Sequence, residues 1–258
     1  MPWLTCLVWL AAVGLAAGVM ASASAQPATE PDGSSTSDSD RARGLEKTLE
    51  VVRLEPDLDR GRALYAVCAE CHGPGGEGLP DGTIPQLAGQ HRSVLIKQLV
   101  DIRSGLRSNP TMYPYVARLD GPQELADLAG YIETLPAPKD NGIGPGGGLE
   151  RGRRLFEGSC ARCHGERGEG KAEALYPRLQ GQHDRYLVRQ MIDVADGRRG
   201  NAHAEMVAAL ADFSAADVAL VADYLSRSQA QPANETDSEA APETNPEAEP
   251  GAEPGEER

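Results

Sequence analysis

Aromatic side chains are scarce in this chain. Two Trp, seven Tyr and two Phe make up 4% of its 258 residues, so the side chains alone would build a thin core. Small domains with thin cores often depend on an additional element, such as a metal or a disulfide, for their stability. The composition therefore favours a bound prosthetic group that supplies the missing apolar bulk.

The chain also lacks the basic stripe that a nucleic-acid-binding protein needs. Its net charge is −14, and most of this charge lies at the ends. Residues 1–40 hold four acids and no Lys or Arg, and residues 232–258 hold nine acids and one base. Residues 41–231 hold 26 acids and 24 bases, so we expect no nucleic-acid partner.

No segment shows a convincing strand pattern, whereas apolar residues recur at helical spacing in four segments, and two further short helices are expected. The predicted helices cover about 59–70, 92–104, 122–134, 150–162, 184–196 and 214–227. Ser214 is a plausible N-cap of the last of these helices. The sequence therefore predicts an all-α fold.

The N-terminus resembles an export signal. Residues 3–20 are almost wholly apolar, and Ala23-Ser24-Ala25 offers a small-residue cleavage site. No Lys or Arg precedes the apolar run, and an uncleaved membrane anchor is the alternative. We expect residues 1–25 to be a signal peptide and the mature protein to be periplasmic.

Two further segments have the composition of flexible chain. We predict a flexible leader over 26–54 and a disordered acidic tail over 230–258, because such segments bury too little apolar surface to offset their ordering entropy. Residues 136–148 are rich in Pro and Gly and are predicted to be a linker without regular structure.

An internal repeat occupies the middle of the chain. Residues 68–107, which begin CAECHGPGGEG, match residues 160–199, which begin CARCHGERGEG. The residues that recur 92 positions later are Cys68, Cys71, His72, Pro85, Leu87, Gly89, Gln90, His91, Gln98, Gly105 and Arg107. We therefore predict two homologous domains, at 55–135 and 149–229.

Each domain contains one Cys-x-x-Cys-His motif. The four cysteines are Cys68 and Cys71, and Cys160 and Cys163; the histidines that follow are His72 and His164. Two thiols at this spacing reach the two vinyl groups on one edge of a haem, and the next residue aims its imidazole at the iron. This pattern is the attachment signal of a c-type haem.

Other interpretations of these cysteines are weaker. A thioredoxin-like redox pair normally lies near a βαβ unit, and no such unit is visible. A structural zinc site needs four ligands, and each domain offers two cysteines. Structural disulfides are the third alternative.

The iron then needs a sixth ligand or an open position. Met/His ligation suits electron transfer. Met112 lies 40 residues after His72, and Met206 lies 42 residues after His164, so we predict that these two methionines are ligands. Met191 corresponds to Leu99 in the first domain and is predicted to be a core residue.

Three histidines compete with these methionines. His203 lies close to Met206, so a His/His site in the second domain is the alternative there. His91 and His183 recur in the motif Gly-Gln-His at the start of a helix. We interpret them as capping or packing residues.

The motifs LYAVCAECHGPGGEG, PQLAGQ and RSNPTM, and the endings AGYI and ADYL, resemble the cytochrome c4 family over roughly residues 55–228. The resemblance implies two cytochrome c domains related by a pseudo-twofold axis, each holding one covalently bound haem c. It implies that Cys68, Cys71, His72 and Met112 hold the first haem, and that Cys160, Cys163, His164 and Met206 hold the second. It also implies that the carbonyls of Pro85 and Pro177 accept the N–H of the two haem-ligating imidazoles.

The resemblance further implies electron donation to a membrane-bound terminal oxidase, with redox proteins as partners and an upstream donor complex. The chain is thus expected to be an electron-transfer protein and not an enzyme. The alternatives are a cytochrome subunit or electron acceptor of a periplasmic dehydrogenase, and a dihaem peroxidase. A peripheral or N-terminal membrane association is a further alternative.

Overall fold

A computed structural model describes residues 37–228 of the chain. The helices of the first half are α1 (Asp38–Val52), α2 (Leu58–His72), α3 (Arg92–Arg103), α4 (Tyr113–Val116) and α5 (Gly121–Glu133). Those of the second half are α6 (Leu149–Ser159), α7 (Ala161–His164), α8 (Asp184–Ala195), α9 (Ala204–Leu210) and α10 (Ala215–Arg227), with a 3₁₀ turn at Ala172–Ala174. Within residues 37–228 the only β-type pairing is an isolated bridge between Lys171 and Tyr176, which confirms the predicted all-α class.

In each domain, the helix that leads into the Cys-x-x-Cys-His motif crosses the last helix at a glycine. A Cβ on Gly61 of α2 would lie 2.2 Å from the carbonyl oxygen of Asp127 on α5. In the second domain, a Cβ on Gly152 of α6 would lie 2.2 Å from the carbonyl oxygen of Leu220 on α10. Because these backbones touch, Gly61 and Gly152 allow the close helix packing that positions each Cys-x-x-Cys-His motif.

Each domain has its own apolar core. The first core lies between α1, α2, α3 and α5, with Ile96 and Ala126 fully buried. The second lies between α6, α8 and α10 and contains Phe156 and Leu225. Cys68 packs against the first core and Cys160 belongs to the second, so the motifs adjoin the apolar interior.

The predicted helix boundaries agree with the structure to within a few residues. The Ser214 side chain accepts a hydrogen bond from the backbone N–H of Asp217, which confirms it as the N-cap of α10. The short helices α4 and α9 were not predicted. The second domain also departs from the predicted continuous helix, because the chain breaks at Cys160 between α6 and α7.

The predicted flexible leader over 26–54 is wrong for its C-terminal half. Residues 38–52 form α1, which begins with a capping box between Ser37 and Asp40. Gly44, Thr48 and Val51 lie on one face of α1 and are buried, where the helix packs against α3 and α5. Tertiary packing of this face stabilises a helix that its polar composition does not suggest.

Of the other predicted segments, the structure describes the linker over 136–148 but not the two ends of the chain. Residues 136–146 carry no helix or strand, and a turn at 147–148 leads into α6. The predicted signal peptide, most of the leader before α1, and the acidic tail lie outside the described residues. Within residues 37–228, no helix combines the length and apolar character needed to cross a membrane.

Candidate haem sites

The first Cys-x-x-Cys-His motif lies at the end of a helix. Cys68, Cys71 and His72 occupy the last turn and a half of α2, so all three side chains project from neighbouring positions. The helix ends at Gly73, whose φ is 79°. A Cβ at Gly73 would lie 2.3 Å from the carboxyl carbon of Glu77, so only glycine fits this turn without strain.

The second motif reaches the same geometry from a broken helix. Cys160 lies at the break, and Cys163 and His164 belong to the single turn of α7. Gly165 follows with a φ of 82° and the same close approach, 2.3 Å, to the carboxyl carbon of Glu169. Both motifs therefore lead into the same glycine turn.

Both motif histidines are buried and held by one nitrogen. Nδ1 of His72 donates to the carbonyl of Pro85 at 3.0 Å, and Nδ1 of His164 donates to the carbonyl of Pro177 at 3.0 Å. These bonds confirm the two prolines as acceptors. Burial lowers the pKa of both histidines below the ordinary 6.5, although the bonds to the proline carbonyls oppose this shift. Each ring is therefore neutral at pH 7, and its Nε2 carries the lone pair that a metal ligand needs.

None of the four motif cysteines forms a disulfide, which disagrees with the disulfide interpretation. Burial raises the pKa of Cys68 above its ordinary value and raises that of Cys160 to about 11. Among the residues that the structure describes, no group of three or more His, Cys, Asp and Glu side chains could hold a metal ion. Two thiols and one neutral imidazole per motif suit a haem, whose own ring supplies the remaining equatorial ligands, better than they suit zinc.

The methionines separate into two groups. Met112 is the N-cap residue of α4, and Met206 lies in the first turn of α9; both are half-buried. Met206 also packs against the second core. Met191 lies on α8 and is itself a core member, 8% exposed. Its environment is that of a packing residue, and the assignment of Met112 and Met206 as ligands stays a prediction.

The competing histidines lie in other environments. His203 is exposed at the start of α9. His91 and His183 occupy the N-cap positions of α3 and α8, but their side chains form no cap hydrogen bond. Instead Nε2 of His91 donates to the carbonyl of Glu169 at 2.8 Å, and Nε2 of His183 donates to the carbonyl of Glu77 at 2.9 Å. Each ring thus contacts the other domain.

Comparison with known proteins agrees with this geometry. The Cytochrome c family profile matches the chain twice, over residues 58–136 and 149–229. Cytochrome c4 from Azotobacter vinelandii is 35% identical over 185 residues, which cover 66% of this chain and 88% of that protein. The chain belongs to the cytochrome c4 family.

Two further cytochromes bear on the function. The thiosulfate dehydrogenase electron acceptor of Stutzerimonas stutzeri (strain A1501) is 36% identical over 169 residues, covering 62% of this chain and 77% of that protein. The crystal structure of reduced recombinant cytochrome c4 from Pseudomonas stutzeri superposes with a TM-score of 0.61 at 29% identity, over 68% of this chain and 100% of that chain.

Membership of the cytochrome c4 family implies two covalently bound haem c groups, one per domain, and makes the chain an electron-transfer protein. Each motif fits such a group, because it sets two cysteine side chains beside one neutral, buried imidazole.

Arg107 and Arg199 lie side by side where the two domains of this cytochrome meet. Arg107 and Arg199 each donate to the side-chain oxygens of both Gln98 and Gln190, at 2.9–3.0 Å. Neither guanidinium forms an ion pair within residues 37–228. Burial and the neighbouring positive charge of Arg107 lower the pKa of Arg199 to about 10.

Sequence reasoning noted that these residues recur but assigned them no role. Gln90, Gln98 and Arg107 each recur 92 positions later, and all six residues form hydrogen bonds between the domains. The recurrence of these polar residues in both domains was the available signal. It does not show which surfaces meet, so the interface became visible only in the structure.

Proposed function

We propose that this chain is a dihaem electron carrier of the periplasm that passes single electrons to a membrane-bound terminal oxidase. The observation that carries the proposal is the repeated site: each domain holds a buried neutral histidine next to two free thiols, and a half-buried methionine on a later helix. Two matched sites in one chain suit the passage of electrons between like centres.

The roles of the residues follow from their chemistry. Cys68 and Cys71 would attach the first haem through thioether bonds, with His72 and Met112 as axial ligands. Cys160 and Cys163 would attach the second, with His164 and Met206. When bound, the haem supplies a one-electron couple, and a His/Met pair favours a high potential. The protein keeps each histidine neutral and oriented through its bond to Pro85 or Pro177.

The paired methionines also speak against the peroxidase alternative. Turnover of peroxide needs an axial position that is open or easily vacated, and each domain offers a methionine at a similar place in the chain. Met112 and Met206 both lie at the start of a short helix that follows a polar loop. No feature distinguishes one site as the catalytic one.

Arg107 and Arg199 would neutralise the carboxylates of the haems. Within residues 37–228 the two neighbouring guanidinium groups donate to neutral oxygens and form no ion pair, and Arg pairs strongly with carboxylates. Each haem brings two propionates, so an anion of the required charge accompanies the group itself.

Partners would dock on apolar surface near the motifs. Val67, next to Cys68, is 41% exposed, and Tyr113, next to Met112, is 51% exposed. In the second domain Val207, next to Met206, is 37% exposed. Apolar side chains beside the attachment and ligand residues suit brief contacts that bring two redox groups close together.

Reoxidation by membranes tests the oxidase as acceptor. Reduced holoprotein should be reoxidised by membranes that contain a terminal oxidase, with stimulated oxygen uptake that cyanide abolishes. Reoxidation no faster than that of free reduced protein would contradict this acceptor.

A second candidate function is that of electron acceptor for a thiosulfate-oxidising dehydrogenase. The similarity to the Stutzerimonas stutzeri acceptor favours it. Thiosulfate together with such an enzyme should reduce both haems at a rate that saturates with cytochrome concentration. The two functions are successive steps of one electron path, so success in both assays would place the chain between dehydrogenase and oxidase.

Periplasmic location forms part of the proposal, because haem c attachment and the predicted signal over residues 1–25 both point outside the cytoplasm. Mass spectrometry of the mature N-terminus distinguishes cleavage after Ala25 from a retained N-terminal anchor.

A further inference from the structure

Gln182 of the second domain forms hydrogen bonds with the backbone of the first domain beside the carbonyl that accepts from His72. Nδ1 of His72 donates to the carbonyl of Pro85 at 3.0 Å. The same peptide unit carries the N–H of Gln86, which donates to Oε1 of Gln182 at 3.0 Å. Nε2 of Gln182 then donates back to the carbonyl of Gln86 at 2.9 Å.

The same arrangement occurs in the second domain, where Gln90 of the first domain is the partner. Nδ1 of His164 donates to the carbonyl of Pro177 at 3.0 Å, and the N–H of the same peptide, on Arg178, donates to Oε1 of Gln90 at 2.9 Å. Nε2 of Gln90 returns a hydrogen bond to the carbonyl of Arg178 at 3.0 Å. This glutamine–backbone contact occurs in both directions, so it is a repeated feature of the interface between the two domains.

A second contact braces each motif loop. Nε2 of His183 donates to the carbonyl of Glu77, and the next residue, Gly78, donates its N–H to the carbonyl of His72 at 2.8 Å. A Cβ on Gly78 would lie 2.6 Å from the carbonyl oxygen of Pro85, so Gly78 lies against the backbone of both His72 and Pro85. His91 braces Glu169 and Gly170 in the same way.

The chain of bonds on the first domain is enclosed. Gln86 and Gln182 are 7% and 9% exposed, and His183 is 1% exposed, whereas Gln90 and Arg178 are half-buried. Hydrogen bonds away from water are stronger, and bonds in series polarise one another. An acceptor on the Gln86 N–H therefore makes the Pro85 carbonyl a better acceptor for His72.

We infer that Gln182 and Gln90 are positioning residues, each of which sets the reduction potential of the haem in the opposite domain through the peptide that its proximal histidine contacts. The inference rests on the proposed function, because it takes His72 and His164 as iron ligands. It adds to that function a defined route by which one domain adjusts the haem of the other.

The direction of the effect follows from the histidine. A stronger bond at Nδ1 raises the basicity of the imidazole, which stabilises the oxidised iron and lowers the potential. Removal of the acceptor at Gln86 should therefore raise the potential of the first haem. We expect the equilibrium constant for its reduction to rise about threefold, a shift of roughly 30 mV for a one-electron couple.

The test compares three glutamine variants of the holoprotein in a reductive titration followed by NMR, where each haem gives its own signals. Gln182→Met should raise the potential of the first haem alone, and Gln90→Met should raise that of the second haem alone, by less, because its bonds are less enclosed. Gln180→Met is the matched control. Gln180 is also buried, two residues from Gln182, and its Oε1 has no partner within residues 37–228; neither potential should move.

A second readout separates tuning from simple loosening of the interface. The Nδ1–H proton resonance of His72 should move upfield in Gln182→Met and stay in place in Gln180→Met, because it reports the strength of the bond to Pro85. Gln182→Glu keeps an acceptor for the Gln86 N–H and adds negative charge, so it should lower the potential of the first haem. A potential that moved upward in both Gln182 variants would show disruption and would overturn the inference.

Two other results would also overturn it: a larger shift at the second haem than at the first in Gln182→Met, or no shift at either haem in a folded variant. Failure of the proposed function appears separately in the wild-type protein, which would then lack two haems with histidine ligands or would not be reoxidised by the membranes.

Discussion

Arg41 donates through Nη1 to the carbonyl oxygen of Ala202 at 2.8 Å, across 161 positions of the chain. Arg41 lies on α1, which packs on the first domain, whereas Ala202 belongs to the loop before α9, the helix that carries Met206. α1 precedes both segments that match the Cytochrome c profile. This additional helix therefore links the first domain to the loop that precedes α9 in the second domain.

The first prediction concerns the buried face of α1. Val51 is 2% exposed and belongs to the first core, so Val51→Ala should lower the free energy of unfolding by about 2 kcal/mol. Leu45, on the same helix and 46% exposed, provides the control, and Leu45→Ala should cost less than about 0.5 kcal/mol. Urea unfolding of the two holoproteins measures both; equal effects would show that α1 does not pack as described.

The second prediction concerns acid stability. Burial opposes ionisation of Asp127, but hydrogen bonds from the Asp57 N–H, Arg60 and Gln123 outweigh it and lower the pKa of Asp127 below 3.8. A carboxyl group with a lowered folded-state pKa stabilises the fold above its unfolded pKa, and this contribution is lost as pH falls through the folded value. Asp127→Asn should thus lower the free energy of unfolding by about 1–2 kcal/mol at pH 7 and by much less at pH 3.

Thermal unfolding at the two pH values measures this difference, with exposed Asp59→Asn as the control. A penalty for Asp127→Asn that is as large at pH 3 as at pH 7 would mean that the loss comes from packing and not from the charge.

The sequence predicted the helix over 184–196 but did not indicate α1, and the difference has a physical reason. The stripe of Leu187, Val188, Met191 and Ile192 predicted a helix over 184–196, and the structure has Asp184–Ala195. α1 was missed because its buried face consists of Gly44, Thr48 and Val51, two of which are not apolar signals. The signal that would have found it is the Ser37–Asp40 capping box, followed by these three residues at helical spacing.

The contacts between domains illustrate a second limit. Gln90 and His91 recur at Gln182 and His183, which shows that the positions matter in both copies. Nothing in one sequence tells whether such residues contact their own domain or the other. His91 and His183 were expected to cap or pack, and they occupy N-cap positions, but their rings donate across the interface.

The third prediction tests the axial methionines. Met112→His should lower the potential of the first haem alone, and Met206→His that of the second alone, because a His/Met site has a higher potential than a His/His site. Each variant should lose half of the far-red iron–thioether absorption band. Met191→Leu is the control: it changes a core side chain for one of similar volume and should keep the whole band. Loss of the band in Met191→Leu would make the ligand assignment wrong.

The fourth prediction concerns the acidic tail, which lies outside the described residues. Residues 232–258 carry nine acids and one base, and charge on a solvated segment is screened within roughly 8 Å at physiological salt. Removal of these residues should leave both potentials, and the rate of reduction by the natural donor, within about twofold of the full chain. A tenfold loss of rate at every salt concentration would identify the tail as a partner-binding element.

The fifth prediction addresses the central claim that each repeat carries its own covalent haem. The mass of the intact, acid-denatured holoprotein should exceed that of the mature polypeptide by two haems, with one haem on the peptide that contains Cys68 and Cys71 and one on the peptide that contains Cys160 and Cys163. Extraction with acidified acetone should release no haem. A mass increase of a single haem, or haem that is extracted into the solvent, would contradict the account.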